Sequence, residues 1–273
     1  MASHSVKLGL RCWVSRRCAE LRAAAVLLGH IGCSERDAAL AALADPDSAD
    51  TARAPFPCSS GGPADMDTTP TATWELRGHA TIPTDHQVQL VPDRADSAGL
   101  TFDVRSTFRL AEGWRVQFDL TTAGDGGDGF VWLWMDTDSL RAINYHFDIP
   151  TQPGSLGYAL PDGDALVTAS AVEFIPMDGA SRIRLLRWGK PRQVAAEVEG
   201  PPLRDRTTQV TLRSEDGWTT LELDGVEVAG VADLTPGGAA GHPALAASNA
   251  ATAQQVVVSG VEVLACPEQE IER

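Results

Sequence analysis

One stretch limits what this chain can fold into more than any other: Gly124 to Met135, which reads GDGGDGFVWLWM. Side chains alternate across a β-strand, so Val131, Leu133 and Met135 face one way while Phe130, Trp132 and Trp134 face the other. A strand apolar on both faces must be covered on both, which places it inside a sheet with further structure above and below. The loop leading into it sets Asp125 and Asp128 among glycines, a composition that lets backbone come close to a bound group. That loop is the first candidate for a working site. Trp132 and Trp134 could offer a stacking face to a ligand, but a place in the core is the plainer reading of both.

The rest of the C-terminal two hundred residues keeps the same period of two. Trp114, Val116, Phe118 and Leu120 alternate with Arg115, Gln117 and Asp119, and Ile143, Tyr145, Phe147 and Ile149 alternate with Asn144, His146 and Asp148. Both runs read as half-buried strands. Further strands are expected at Gly99–Leu110, Ala171–Ile175, Arg182–Trp188, Gln193–Val198 and Gln209–Arg213. Thr219–Leu223 and Val226–Gly230 flank Asp224-Gly225, a two-residue hairpin turn. In Gln255–Leu264 the apolar phase slips at Ser259-Gly260, as a bulge requires. About a dozen short strands, with no helix expected after Leu43, predict an all-β, two-sheet antiparallel sandwich of the jelly-roll kind.

The N-terminal part has a different character. Lys7, Arg11, Arg16, Arg17 and Arg22 precede the short apolar run Ala23–Gly29, and small residues follow, in the manner of an export signal. Ile31-Gly32-Cys33 resembles the end of a bacterial lipoprotein signal, which makes Cys33 the expected lipidation site; His30 stands where leucine is usual. The competing reading is an amphipathic N-terminal helix of a cytosolic protein. Ser34–Leu43 could form a short helix, and Asp45–Thr73 has the Pro, Asp, Ser, Thr and Gly content of a tether. The expected organisation is a signal peptide over 1–33, a linker over 34–73 and one jelly-roll domain over 74–266. The protein is then exported, as a cell-envelope lipoprotein or a secreted protein. With Cys12, Cys18 and Cys33 assigned to the signal, Cys58 and Cys266 remain, and they bracket the β-rich region. In an oxidising compartment such a pair reads as a disulfide joining the two ends of the domain, against two free thiols as the alternative.

Charge and motif narrow the function classes. A formal net charge of −15 and the lack of a Lys/Arg cluster in the β-rich part argue against a nucleic-acid or anionic-membrane surface. Contact with a membrane would run only through the lipid anchor. Gly124, Gly126 and Gly129 satisfy G-x-G-x-x-G, but a strand follows where a dinucleotide site needs a helix, and two aspartates would repel a pyrophosphate. Glu222, Asp224 and Glu227 match the E-x-D-x-x-E pattern of jelly-roll glucanases, yet Asp224 falls in a turn and its neighbours on opposite arms of a hairpin. A glycoside hydrolase is therefore the runner-up, and a structural envelope module without ligand a third reading. Asp136, Asp138, Asn144 and Asp148 form another oxygen-rich patch, of the kind more often found as solvated turns.

Several segments, taken together and in order, resemble the L-type (legume-type) lectin domains of the concanavalin A-like superfamily. They are Trp74-Glu-Leu-Arg-Gly-His-Ala, Gly127-Asp128-Gly129-Phe130, Leu156-Gly157-Tyr158, Ala171-Val172-Glu173-Phe174 and Pro243-Ala-Leu-Ala-Ala-Ser-Asn, followed by Val256–Val263. The resemblance spans roughly Trp74 to Leu264 and implies a non-catalytic, carbohydrate-binding module whose partner is a glycan or a cell-surface polysaccharide. It implies that Asp128 accepts hydrogen bonds from two sugar hydroxyls, a use suited to a carboxylate because its charge-assisted bonds are strong and directional. Gly127, Asp125, Gly157 and Tyr158 complete the expected ligand site. The family's calcium and manganese site would follow AVEF with an aspartate; here that place holds Ile175, which offers no oxygen to a hard cation. No cofactor is expected on that ground, with calcium as the alternative since Glu173 survives.

Overall fold

The computed structural model describes residues 64–66, 74–84, 86–124, 126–146, 155–159, 167–189, 192–232, 234–236 and 239–267. All lie in one compact unit, Pro55–Arg273. The expected signal, Cys33, the Ser34–Leu43 helix, Cys58 and Asp125 fall outside the described residues.

The strands in chain order are β1 (Ala64–Met66), β2 (Trp74–Gly78), β3 (Thr81–Thr84), β4 (Gln87–Val91), β5 (Ser97–Asp103), β6 (Phe108–Ala123) and β7 (Gly129–Met135). A helix, α1 (Thr137–His146), follows. Then come β8 (Ala169–Met177), β9 (Ala180–Gly189), β10 (Gln193–Gly200), β11 (Arg206–Glu215), β12 (Trp218–Leu223), β13 (Val226–Ala232), β14 (Ala240–Asn249) and β15 (Gln255–Pro267). One sheet has the order β10-β9-β8-β7-β14-β5-β2, and every pairing in it is antiparallel. The other runs β13-β12-β11-β6-β15, with β4 and β1 sharing the far side of β15 and β3 beyond β4. The two sheets are linked where β14 begins. Ala240 and Gly241 pair with Arg109 and Phe108 of β6, and from His242 onward the strand lies between β7 and β5.

The double-sided apolar run thus becomes an interior strand, with all seven residues of β7 buried. Phe130, Trp132 and Trp134 enter the core between the sheets, where Phe118 stacks on Trp132 at 5.8 Å and Trp114 meets Trp134 edge-on at 5.4 Å. Such ring pairs add about 0.5–1.5 kcal/mol each beyond burial. Both tryptophans are core residues. Val131, Leu133 and Met135 face the opposite side of the sheet, in a second cluster with Leu140, Ile143, Leu156 and Tyr158.

That second cluster explains a correction. No helix was expected after Leu43, and Ile143–Ile149 read as a strand; residues up to His146 instead form the end of α1. The helix starts because the Ser139 amide donates to Asp136 Oδ1 at 2.7 Å, an N-cap bond, while Leu140 and Ile143, one turn apart, cover the outer face of β7. Phe147 and Ile149 lie outside the described residues. A second correction concerns Gly99–Leu110, which is two strands. The buried Asp103 accepts from the amides of Arg105 and Ser106 through Oδ1 and ends β5 there. A third is that pairing begins before Trp74, because β1, within the stretch expected to be linker, lies on β15. Elsewhere the reading holds: Asp224 and Gly225 take φ of 50° and 76° as a hairpin turn, and the register of β15 shifts between Ser259 and Glu262.

Candidate functional site

Asp128 ends the loop between β6 and β7, beside the last residues of β14. Its amide donates to the Ser248 carbonyl at 3.0 Å, and its Oδ2 accepts from Ser248 Oγ at 2.8 Å. Ser248 Oγ also lies 3.4 Å from Ser155 Oγ, which in turn accepts from the Gly157 amide at 3.3 Å. The structure therefore brings Asp128 and the Ser155–Tyr158 turn into one hydrogen-bonded chain, with Ser248 as the joint. The sequence names Asp128, Gly157 and Tyr158 but not Ser155 or Ser248, although Ser248 stands in the Ala-Ala-Ser-Asn segment that carries the family resemblance. The turn is also conformationally unusual. Leu156 has a φ of 52°, in the left-handed region that a leucine seldom adopts, and is held there while wholly buried.

Two of the loop's glycines stand against the protein's own side chains. A Cβ on Gly127 would stand 1.9 Å from Asn249 Oδ1, and one on Gly126 would stand 2.5 Å from the Arg204 guanidinium. The close approach that these glycines permit is to the protein's own side chains. Gly127 donates its amide to Gln254 Oε1 at 2.8 Å, and Gly124 donates to Asp205 Oδ1 at 3.0 Å, so the loop is pinned to the β14–β15 connection and to the start of β11. Asn249 anchors that connection, its Nδ2 donating to the carbonyls of Pro92, Arg94 and Gln254.

Beneath the turn lies a buried polar cluster. Glu173, from β8, is fully buried on the face shared with Val131. Its Oε1 accepts from the Tyr158 hydroxyl at 2.5 Å and from the Arg192 guanidinium. Among the described residues its Oε2 has no hydrogen-bond partner, and Arg184 Nη1 lies 3.9 Å from it. The Arg192 guanidinium also sits over the Tyr158 ring, 5.6 Å from its centre. Burial first, and the Glu173 charge second, push the Tyr158 hydroxyl well above its ordinary pKa, so it stays a donor throughout the neutral range. Tyr158 is only 3 % exposed. Its ring and hydroxyl are committed inward, and the rest of the turn, Ser155 to Ala159, is buried with it.

Two other sequence patterns find structural uses. Asp224 accepts from the Gln209 amide at 2.9 Å and from Arg206, and Glu222 is the register partner of Glu227 on the hairpin. Asp136 caps α1, and the exposed Asp138 reaches Arg141 at 3.5 Å. Among the described residues there is no group of three or more His, Cys, Asp or Glu side chains placed to hold a metal ion, and no helix long and apolar enough to cross a membrane.

No protein-family profile matches the sequence, and no curated protein sequence does. Solved structures do match. The exoplasmic/lumenal domain of VIP36, in a form bound to Ca2+ and Man3GlcNAc, aligns with a TM-score of 0.56 at 14% identity, covering 74% of this chain and 90% of that one. The lectin UEA-II complexed with galactose aligns at 0.55 and 15% identity over 71% and 93% of the two chains. The carbohydrate recognition domain of Emp47p gives 0.54 and 11% identity over 74% and 93%. The chain has the L-type lectin fold, as its sequence segments suggested; at these identities the likeness is one of fold.

Proposed function

We propose that this protein is a non-catalytic glycan-binding module whose site is the Asp128 loop together with the Ser155–Tyr158 turn. The observation that carries the reading is the Asp128–Ser248–Ser155–Gly157 chain of hydrogen bonds, which presents a partly exposed carboxylate beside a strained, buried-backed turn. Ser248 fixes the carboxylate from one side, and a carboxylate forms strong, directional charge-assisted bonds with hydroxyls such as those of a sugar. Asp125 and Gly127 belong to the same loop, and the buried Gly157 and Tyr158 act from below as supports. The fold shared with domains solved in complex with mannose-containing glycans and galactose supports this reading. The experiment is a glycan array on the full chain, followed by Asp128→Asn. Asparagine keeps the shape and an acceptor for Ser248, so the melting temperature should hold while affinity for the best glycan falls by about 1.5–3 kcal/mol per charged bond lost. A lowered melting temperature with binding intact would assign Asp128 a purely structural part.

The proposed setting is outside the cytoplasm, with Cys33 lipidated. Its basis is the basic-apolar-Gly-Cys order of the N-terminal sequence. Cys33→Ala should move the protein from the membrane fraction to the soluble one; an unchanged distribution rejects the anchor.

A further inference from the structure

The fold raises the question of a metal ion near Glu173, since one matching structure holds Ca2+, while another crystal of the same domain is metal-free. The residues here do not fit one. A hard cation needs several oxygen ligands, and the neighbour two positions along β8 is Ile175, packed against the apolar cluster. Glu173 Oε1 already accepts from a guanidinium and a phenol, and a second guanidinium, that of Arg184, stands 3.9 Å from Oε2. A divalent ion beside that guanidinium would meet its positive charge in a desolvated place, where repulsion is weakly screened.

We infer that the Arg192 guanidinium serves in this chain as the fixed cation of the site: it holds Glu173 and, through the Tyr158 hydroxyl, the Ser155–Tyr158 turn, so that the turn keeps its shape without a divalent metal. The placement supports this at each step. Arg192 directly precedes β10, its side chain is 13 % exposed, and it contacts both the carboxylate and the face of Tyr158. A fully buried carboxylate needs a compensating charge, and this cluster supplies it from within the chain. Arg184 is the weaker partner: its Nη1 stands 3.9 Å from Glu173 Oε2, outside hydrogen-bond distance, while its Nε donates to Glu197 at 2.7 Å. Arginine also suits the task better than lysine, since its planar fork can bind a carboxylate while lying on an aromatic ring. Arg192 is thus a positioning residue: it acts on a ligand only through Tyr158 and the turn. The consequence for glycans rests on the reading above, whereas the consequence for the turn does not.

The test uses the full chain and needs no glycan at first. The wild-type melting temperature should be the same in EDTA and in millimolar calcium; a rise of several degrees with calcium would overturn the proposal. Arg192→Gln strands a buried charge and should lower melting by roughly 10 °C, while the double variant with Glu173→Gln should recover at least half of that loss. A double variant no more stable than the single one would overturn the pairing. The sequence has two tyrosines, so tyrosine labelled only at its ζ carbon gives two resonances, and Tyr158→Phe assigns them. Calcium should leave the Tyr158 resonance in place, and Arg192→Lys should hold it closer to its wild-type position than Arg192→Gln does. Equal displacement by both variants, or none, refutes the role of the charge. If the double variant alone folds, its Tyr158 resonance must still move, since the guanidinium over the ring is gone. Once an array ligand is known, its affinity should be the same with and without EDTA. Absence of any glycan ligand would reject the proposed function, yet leave the melting and resonance results to decide this inference separately.

Discussion

Gly127 sits 1.9 Å, by the position of a notional Cβ, from an Asn249 side chain that three backbone carbonyls hold in place. Asn249 cannot swing away without giving up those bonds, so the loop would have to move. Gly127→Ala should therefore destabilise the fold by about 1–3 kcal/mol, as overpacking does, and should weaken ligand binding through displacement of Asp128. Thermal unfolding measured alongside affinity checks both halves. The prediction also shows where the sequence stopped being legible. Glycine and aspartate in one loop signalled close approach, and close approach is what the structure has, but sequence alone cannot say to what. The same holds for Glu173: its survival in an AVEF segment was readable, while its partners Tyr158 and Arg192 lie 15 and 19 residues away, outside β8, and meet it only in the folded chain. Ser248 was missed for a like reason, since a serine among alanines carries no signal until a carboxylate is placed opposite it.

At the scale of elements, legibility followed side-chain period. Strands with one wet face announced themselves by alternation, and β7 did so by being apolar on both faces. The helix α1 was misread because its residues also alternate; the cap at Asp136 and the need to cover Val131, Leu133 and Met135 decided against a strand. The opposite difficulty attends β14, whose Ala-Leu-Ala-Ala run has poor β-propensity and no alternation. It is a strand because small residues are what fit between β7 and β5: Ala244 lies opposite Leu133 on one side and Phe102 on the other, with no exposed surface. Ala244→Leu should then cost about 1–3 kcal/mol in overpacking despite adding apolar area, visible as a lower denaturation midpoint with an unchanged m-value. A neutral or stabilising result would mean that the face beneath α1 has room to spare.

The β-rich unit is closed by β15. That strand pairs with β6 along most of its length, takes β4 on its other side at one end, and takes β1 at the other, where Ala64 is the register partner of Ala265. β1, which begins six residues after Cys58, therefore lies beside the end of β15 that carries Cys266, a residue with no exposed surface. We expect the two cysteines to be joined, although Cys58 itself lies outside the described residues. A bridge across so much of the chain would restrict the unfolded ensemble by about 5 kcal/mol in the chain-entropy account, with native strain able to reduce the gain. For a domain with formal charge −15 over its full sequence, whose compact state bears some self-repulsion, that closure is a substantial share of a net stability of about 5–15 kcal/mol. Peptide mapping under non-reducing conditions, on protein recovered from an oxidising compartment, should yield a Cys58–Cys266 pair. Reduction should lower the melting temperature, and Cys266→Ser should reproduce most of that loss. Recovery of both cysteines as thiols from such material would remove the bridge from the account, leaving β1 on β15 as the only tie between the start of the sheet and its end among the described residues.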